Sequence, residues 1–305
     1  MNRFILSILI LLTSVKGYGQ MFPLSDHYIY DALTINPAFA GSHDALSATI
    51  LYRNQWIGFK DAPASHTLSV HTPVLHDRIG VGLLVNENSI GIFKETSFIG
   101  NYAYRMEVYN GILALGLGFG ASVFSDAWDR LEAADEGDVY LMNVSGSAVL
   151  PEFSLGAYYY KEKYYIGLSI PSFLNHEVDH NTGKYKIKSQ FPGCNYFLSA
   201  GYEIAISPMV KIMPSVLVKF HPDNALQVDY SAQLNLKDRI WLGFGYRNKD
   251  VLVSMLQCQI NYQLRMAYSY DYEFSSIGKY KNGSHEIVLS YVLRYRRNVM
   301  GPRMF

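Results

Sequence analysis

The stretch Leu226–Arg247 sets the strictest limit on what this chain can fold into. Its first arm puts Leu226, Val228, Tyr230, Ala232, Leu234 and Leu236 on one face and Gln227, Asp229, Ser231, Gln233 and Asn235 on the other. After Lys237-Asp238 the alternation resumes, with Ile240, Leu242, Phe244 and Tyr246 opposing Arg239, Trp241, Gly243, Gly245 and Arg247. A period of two belongs to extended backbone, whose successive side chains point to opposite sides. Strands of soluble proteins commonly stop at about five or six residues, whereas a tilted strand crossing a bilayer needs about 9–11. One face is too polar for a dry core, and the other ends in aromatics, as a lipid-facing girdle does. The expectation is an all-β fold, an up-and-down antiparallel transmembrane β-barrel, with the rest of the chain built as further copies of this hairpin.

Composition agrees. The 26 basic and 26 acidic residues cancel, so no electrostatic footprint for nucleic acid exists. Aromatics make up 14% of the chain, with 25 Tyr among them, which suits interfacial girdles. A mean hydropathy of +0.02 excludes a helical membrane protein and fits a wall with one polar face. Cys194 and Cys258 make no disulfide framework. At the N-terminus, Asn2-Arg3, the apolar run Phe4–Leu12 and the small, polar stretch Thr13–Gly19 read as a secretory signal peptide, residues 1–19. That run is far short of the ~20 residues of a membrane helix. Residues 20–44 are expected to form a periplasmic segment, with a short helix capped by Ser25 and a turn at Asn36-Pro37, ahead of a barrel over 45–305.

About fourteen strands are expected, an even number that returns both termini to the periplasmic side. They lie near 45–54, 64–72, 78–86, 95–105, 112–124, 153–161, 163–170, 195–205, 209–220, 225–236, 239–248, 251–262, 264–274 and 284–296. Connections after odd strands are the longer ones: Asn54–Pro63, Glu87–Lys94, Ser125–Glu152, Pro171–Cys194 and Ser275–Gly283. Those after even strands, such as Lys237-Asp238, are short. Outer-membrane barrels sort their connections in this way, short turns to the periplasm and long loops outside. Phase assigns the faces: Met266, Tyr268, Tyr270 and Tyr272 look to lipid, and Arg265, Ser269, Asp271 and Glu273 look inward. The reverse would cost about 2–4 kcal/mol for a mid-membrane Arg alone. Lys211, Lys219, Arg239, Arg247 and Glu203 also fall on inward faces.

Three motifs suggest chemistry, and each has a plainer reading. His176-Glu177-Val178-Asp179-His180 matches HExxH, but zinc chemistry needs it on a helix and here it sits in a long loop. Gly116, Gly118 and Gly120 lack the GxGxxG spacing of a dinucleotide fingerprint and read as small inward residues that let bulky groups such as Trp241 fit. The acidic stretch Asp126–Asp138 offers carboxylates for a divalent ion but lacks EF-hand spacing, and its plainer reading is a short surface helix, Asp126–Ala134, with Trp128 and Leu131 packed down. No Ser/His/Asp arrangement stands out. The expectation is no enzyme, no cofactor and no metal.

One stretch is more specific. Asn36-Pro37-Ala38-Phe39-Ala40-Gly41 precedes Tyr52-Arg53-Asn54-Gln55-Trp56 and then Ala62-Pro63. This resembles the PorP/SprF family of type IX secretion system outer-membrane proteins, whose pattern runs NPAxAG, YRxQW and a Gly-Ala-Pro-Thr-like turn, here Asp61–Ser65. The resemblance implies a component that helps a cognate secreted surface protein, such as an adhesin, reach or stay on the cell surface, in company with other secretion or gliding components. The rival reading is a porin or solute-specific channel. Independently of the family, Tyr52 and Trp56 suit a membrane interface, and Arg53, on the opposite face, is placed to pair with an internal carboxylate. Phe173, Leu174, Tyr185, Ile187 and Phe191 in the loop 171–194 are apolar residues with no strand face to occupy, and are candidates for partner binding.

Overall fold

The computed structural model describes residues 25–75, 77–127, 147–179, 184–188, 193–222, 224, 226–248, 251–274 and 282–293. Two short 3-10 turns, η1 (Ala32–Thr34) and η2 (Pro37–Phe39), precede the first strand. The strands are β1 (Leu46–Asn54), β2 (Ala64–Val74), β3 (Ile79–Ile90), β4 (Phe93–Val108), β5 (Gly111–Asp126), β6 (Ala148–Tyr160), β7 (Tyr164–Ile170), β8 (Asn175–Asp179), β9 (Lys184–Lys188), β10 (Tyr196–Tyr202), β11 (Ile204–Ser207), β12 (Val210–Phe220), β13 (Gln227–Leu236), β14 (Ile240–Arg247), β15 (Val251–Gln259), β16 (Leu264–Glu273) and β17 (Ser284–Leu293). Fifteen of them form one antiparallel sheet, and β8 and β9 pair only with each other. Both β10 and β11 lie on β12, interrupted at Glu203, and count as one wall strand. The β10–β12 pairing joins the two ends of the sheet, so fourteen strands close a barrel.

The pleat falls as the alternation requires. Tyr230 and Phe244 are exposed on the outer face, while Gln233, Asn235, Ser269 and Asp271 are buried inside. The hairpin between β13 and β14 turns on Lys237 and Asp238 at φ 56° and 52°, with the Arg239 N–H donating to the Leu236 carbonyl at 3.1 Å. Positive φ at both central positions gives the twist that matches the flanking strands. Arg239 therefore sits in an exposed turn at the rim, not on the inward face expected of it. Cys194 and Cys258 are both free thiols.

Connections sort by rim. The strand ends that flank the long connections, 54 and 64, 126 and 148, 170 and 196, and 273 and 284, lie at one end, and those that flank the turns between β2 and β3, β4 and β5, β6 and β7, β11 and β12, β13 and β14, and β15 and β16 lie at the other. The expected loop Glu87–Lys94 is an exception: β3 and β4 run on to a tight turn at 91–92. Polar residues that read as loop are cross-strand partners there, with Lys94 in an ion pair to Glu87 at 2.8 Å.

Wall height is uneven. The strands β4 and β5 have sixteen residues each and β14 has eight, against the about 9–11 that span a bilayer. The β3–β6 sector is thus the tallest part of the wall. Next to it β7 ends at Ile170 and the chain turns in over the lumen, where the Ser172 hydroxyl donates to Glu152 at 2.9 Å.

The largest departure concerns residues 20–44. Their described part, from Ser25 on, is not periplasmic: it runs inside the barrel. Tyr28, Ile29, Leu33, Ile35, Phe39 and Ala40 are all buried, in one cluster with wall residues such as Tyr158, Leu217 and Trp241. A largely apolar run from Tyr28 to Ala40 has no reason to stay in water when a lumen with apolar spots can bury it.

Candidate functional site: the luminal segment and the external rim

The segment is shaped by its own side chains. Asp31 caps η1, accepting from the Leu33 N–H at 3.3 Å, and Asn36 caps η2, accepting from the Ala38 N–H at 3.0 Å with Pro37 as the first residue of the turn. Both caps satisfy backbone donors that the lumen would otherwise strand. Asn36 also reaches the wall, donating through Nδ2 to the carbonyls of Ala157 at 3.0 Å and Leu168 at 3.4 Å. Ser169 donates to the Ile35 carbonyl at 2.6 Å. Phe39 is wholly buried, edge-on to the rings of His43, His71 and Tyr158.

Two wall glycines make this approach possible. A Cβ on Gly116 would collide with the backbone of Pro37 and Ala38, and one on Gly80 with the backbone of Ala40. The small residue at Gly116 is thus required by the luminal segment and not by Trp241, whose ring instead stacks under the Arg265 guanidinium at 5.0 Å. The same guanidinium lies 5.8 Å from the Tyr30 ring, and the Tyr30 hydroxyl donates to Gln233. At the far end Gly41, at φ 76°, takes its N–H to His71 Nδ1 at 3.1 Å and turns the chain toward β1.

The strongest anchoring is at Ser25–His27, level with the long-loop ends of β1, β14, β16 and β17. Arg53 binds Asp26 at 2.5 Å, Asp271 at 2.6 Å and Glu286 at 3.0 Å. Arg247 binds Asp26 at 2.7 Å and Asp229 at 3.1 Å, and Lys219 binds Asp229 at 2.7 Å. Glu286 further accepts from Ser25 Oγ at 2.6 Å and the Asp26 N–H at 3.2 Å, and His27 Nδ1 lies 2.6 Å from it. Two arginines and a lysine thus face four carboxylates, with His27 on one of them. Such a cluster is weak evidence for net stability, but removing one member strands a buried charge.

The family-like motif is therefore split between two objects that meet. Asn36, Pro37, Ala38 and Gly41 shape the luminal segment, and Arg53 is the wall residue that holds its start. The internal carboxylate expected opposite Arg53 is present three times over, once from the segment itself. Tyr52 faces outward and stacks on His66 at 4.7 Å. Trp56 Nε1 donates to Glu273 at 2.8 Å, and the Gln55 N–H donates to the Pro63 carbonyl at 2.9 Å, which closes the connection between β1 and β2.

The candidate binding loop is partly ordered as sheet. Tyr185 and Ile187 belong to β9, opposite Val178 and His176 of β8, so they do have a strand to occupy. Phe173 is tied to the wall through its N–H to the Phe153 carbonyl at 2.8 Å, with Leu174 beside it half-buried. Phe191 lies outside the described residues, as does the acidic stretch beyond Ala127 with Trp128 and Leu131. The residues His176–Asp179 of the HExxH match are extended, and His180 is not described, so the helical i, i+4 spacing that zinc chemistry needs is not there.

A closed barrel with an apolar exterior, a polar interior and sorted loops is an outer-membrane β-barrel protein, here with a polypeptide segment in its lumen. More narrowly, the chain belongs to the PorP/SprF family of type IX secretion system membrane proteins, whose model matches residues 18–291. No curated protein sequence matches it. Among solved structures it is similar to the outer membrane protein Omp33 of Acinetobacter baumannii, 6% identical with a TM-score of 0.50 over 82% of this chain and 98% of that one. It is also similar to the CymD monoaromatic hydrocarbon channel, 12% identical with a TM-score of 0.52 over 92% and 96% of the two chains. At these identities the likeness is one of fold.

Proposed function

We propose that this barrel serves type IX secretion as a docking component: its external rim binds a cognate secreted protein, such as a surface adhesin, and it neither catalyses a reaction nor conducts solutes. The observation that carries this reading is the occupied lumen. The segment 25–45 touches β1, β2, β3, β5, β6, β7, β13, β14, β16 and β17 by the bonds and close contacts above, and a void left beside it, lined by Glu95 and Glu152, measures about 30 Å³, room for about one or two waters. A filled barrel is a rigid scaffold for loops, and exposed loops on such scaffolds are where binding residues concentrate. The rival reading, a porin or solute-specific channel, takes its support from the fold alone.

The test is replacement of residues 175–190 by a Gly-Ser linker. Because β8 and β9 pair only with each other, the wall ladder loses nothing and the barrel should fold. The expected result is loss of one specific protein from the cell surface, or its release into the medium. An unchanged surface proteome together with lost uptake of a small solute would favour the channel.

A further inference from the structure

We propose that Ser25–His27 is the clasp that closes the barrel: this stretch lies in the lumen before β1 meets β17, and it holds those two strands in register. The pairing of β1 with β17 joins strands from opposite ends of the chain, whereas every other neighbour in the wall is linked to its partner by a single turn or loop. It therefore carries the largest loop-closure cost and no hairpin to set its register. At this seam Arg53 and Glu286 stand directly opposite one another. Both are buried, and the luminal segment binds both. Of the four contacts that Glu286 makes, three come from Ser25, Asp26 and His27 and one from Arg53 across the seam. Asp26 shares Arg53 Nη1 with Glu286, while Nη2 goes to Asp271; Asp26 then accepts from Ser269 on β16 at 3.0 Å and from Arg247 on β14 at 2.7 Å. Three residues thus bridge β1, β17, β16 and β14. Without them Glu286 keeps Arg53 alone, and Arg247 loses one of its carboxylates, deep in a wall where an undersatisfied charge is costly.

The topology gives the order of events. The segment runs down the lumen from this cluster to the opposite rim, where Gly41 is wedged against Gly80 and Pro73, and then turns directly into β1. Laying it against an open, curved sheet needs no threading. Drawing it into a closed barrel would carry the Asp26 carboxylate and the polar His27 ring past the apolar contacts of Phe39 and Tyr158. The seam shuts over a segment that is already seated, and the clasp completes the closing register.

Seam closure is read by disulfide formation between Ile50→Cys and Leu289→Cys, outward-facing partners on β1 and β17 away from the cluster, with Cys194 and Cys258 replaced by Ala. Full-length protein is pulse-labelled in cells and crosslinking is followed with time. The variant Ser25→Ala/Asp26→Asn/His27→Ala, which keeps the length and apolar core of the segment, should crosslink on the order of tenfold more slowly, and His27→Ala alone should fall between. The control Phe39→Ala, which empties volume at the other end of the same segment, should stay within about twofold of the parent. The clasp is overturned if the triple variant crosslinks at the parental rate, or if Phe39→Ala slows closure as much as the triple variant does.

Discussion

Arg53 joins three carboxylates from three parts of the chain, Asp26, Asp271 and Glu286, and is itself buried. Replacing it by Met keeps volume but leaves those acids facing one another, so Arg53→Met should lose about 3–5 kcal/mol, read as a lower urea midpoint for loss of the heat-modifiable form. Arg53→Lys should recover only part of this, since an ammonium cannot fork between acids on two sides. The glycines make a second residue-scale test. Gly116→Val aims a side chain at the backbone of Pro37 and Ala38, whereas Gly100 has an open outward position with its nearest neighbour at 3.6 Å. Gly116→Val should cost about 1–3 kcal/mol and expose the luminal segment to protease, while Gly100→Val should leave protease resistance unchanged. Equal resistance of the two would mean that the segment does not lie against Gly116.

At the scale of elements, the strands were legible because each carries its own signal. In β13 the polar and apolar faces alternate without a break, in β16 with only Ala267 among the polar residues, and a one-residue slip would turn Asp229 or Asp271 to lipid. The tight turn between β3 and β4 was hidden by Asn86, Asn88 and Ser89, polar residues that suit a loop in water and equally pair across strands that run on to the turn. The luminal segment was not legible at all as such. Its apolar residues from Tyr28 to Ala40 follow no helix or strand period, and the features that admit it, Gly80, Gly116 and the Arg53–Glu286 pair, are scattered over more than two hundred residues of sequence. Of the candidate site, Arg53 was anticipated in role and Asn36 only as a turn. Loop sorting makes a prediction of its own: epitope tags within 127–147 should be labelled on intact cells, and a tag at Lys237 should not. Labelling at Lys237 alone would invert the assigned orientation.

At the scale of the whole molecule, a barrel of fourteen strands can enclose a water-filled path, and the family to which this chain belongs places it in a secretion pathway. What separates docking component from channel is the content of the lumen. Here a segment capped by Asp31 and Asn36, wedged at Gly80 and Gly116 and held by Arg53 and Arg247 reaches most of the way around the inner wall. It is fastened at both ends by charge and by packing, so ordinary thermal motion should not clear a path. The most direct measurement is the conductance of the purified, refolded wild-type barrel in a planar bilayer. An occluded lumen predicts a silent membrane after insertion, with incorporation verified by protease-protected, heat-modifiable protein recovered from the same bilayer lipid. Stable, ohmic conductance steps from the wild-type protein would contradict it.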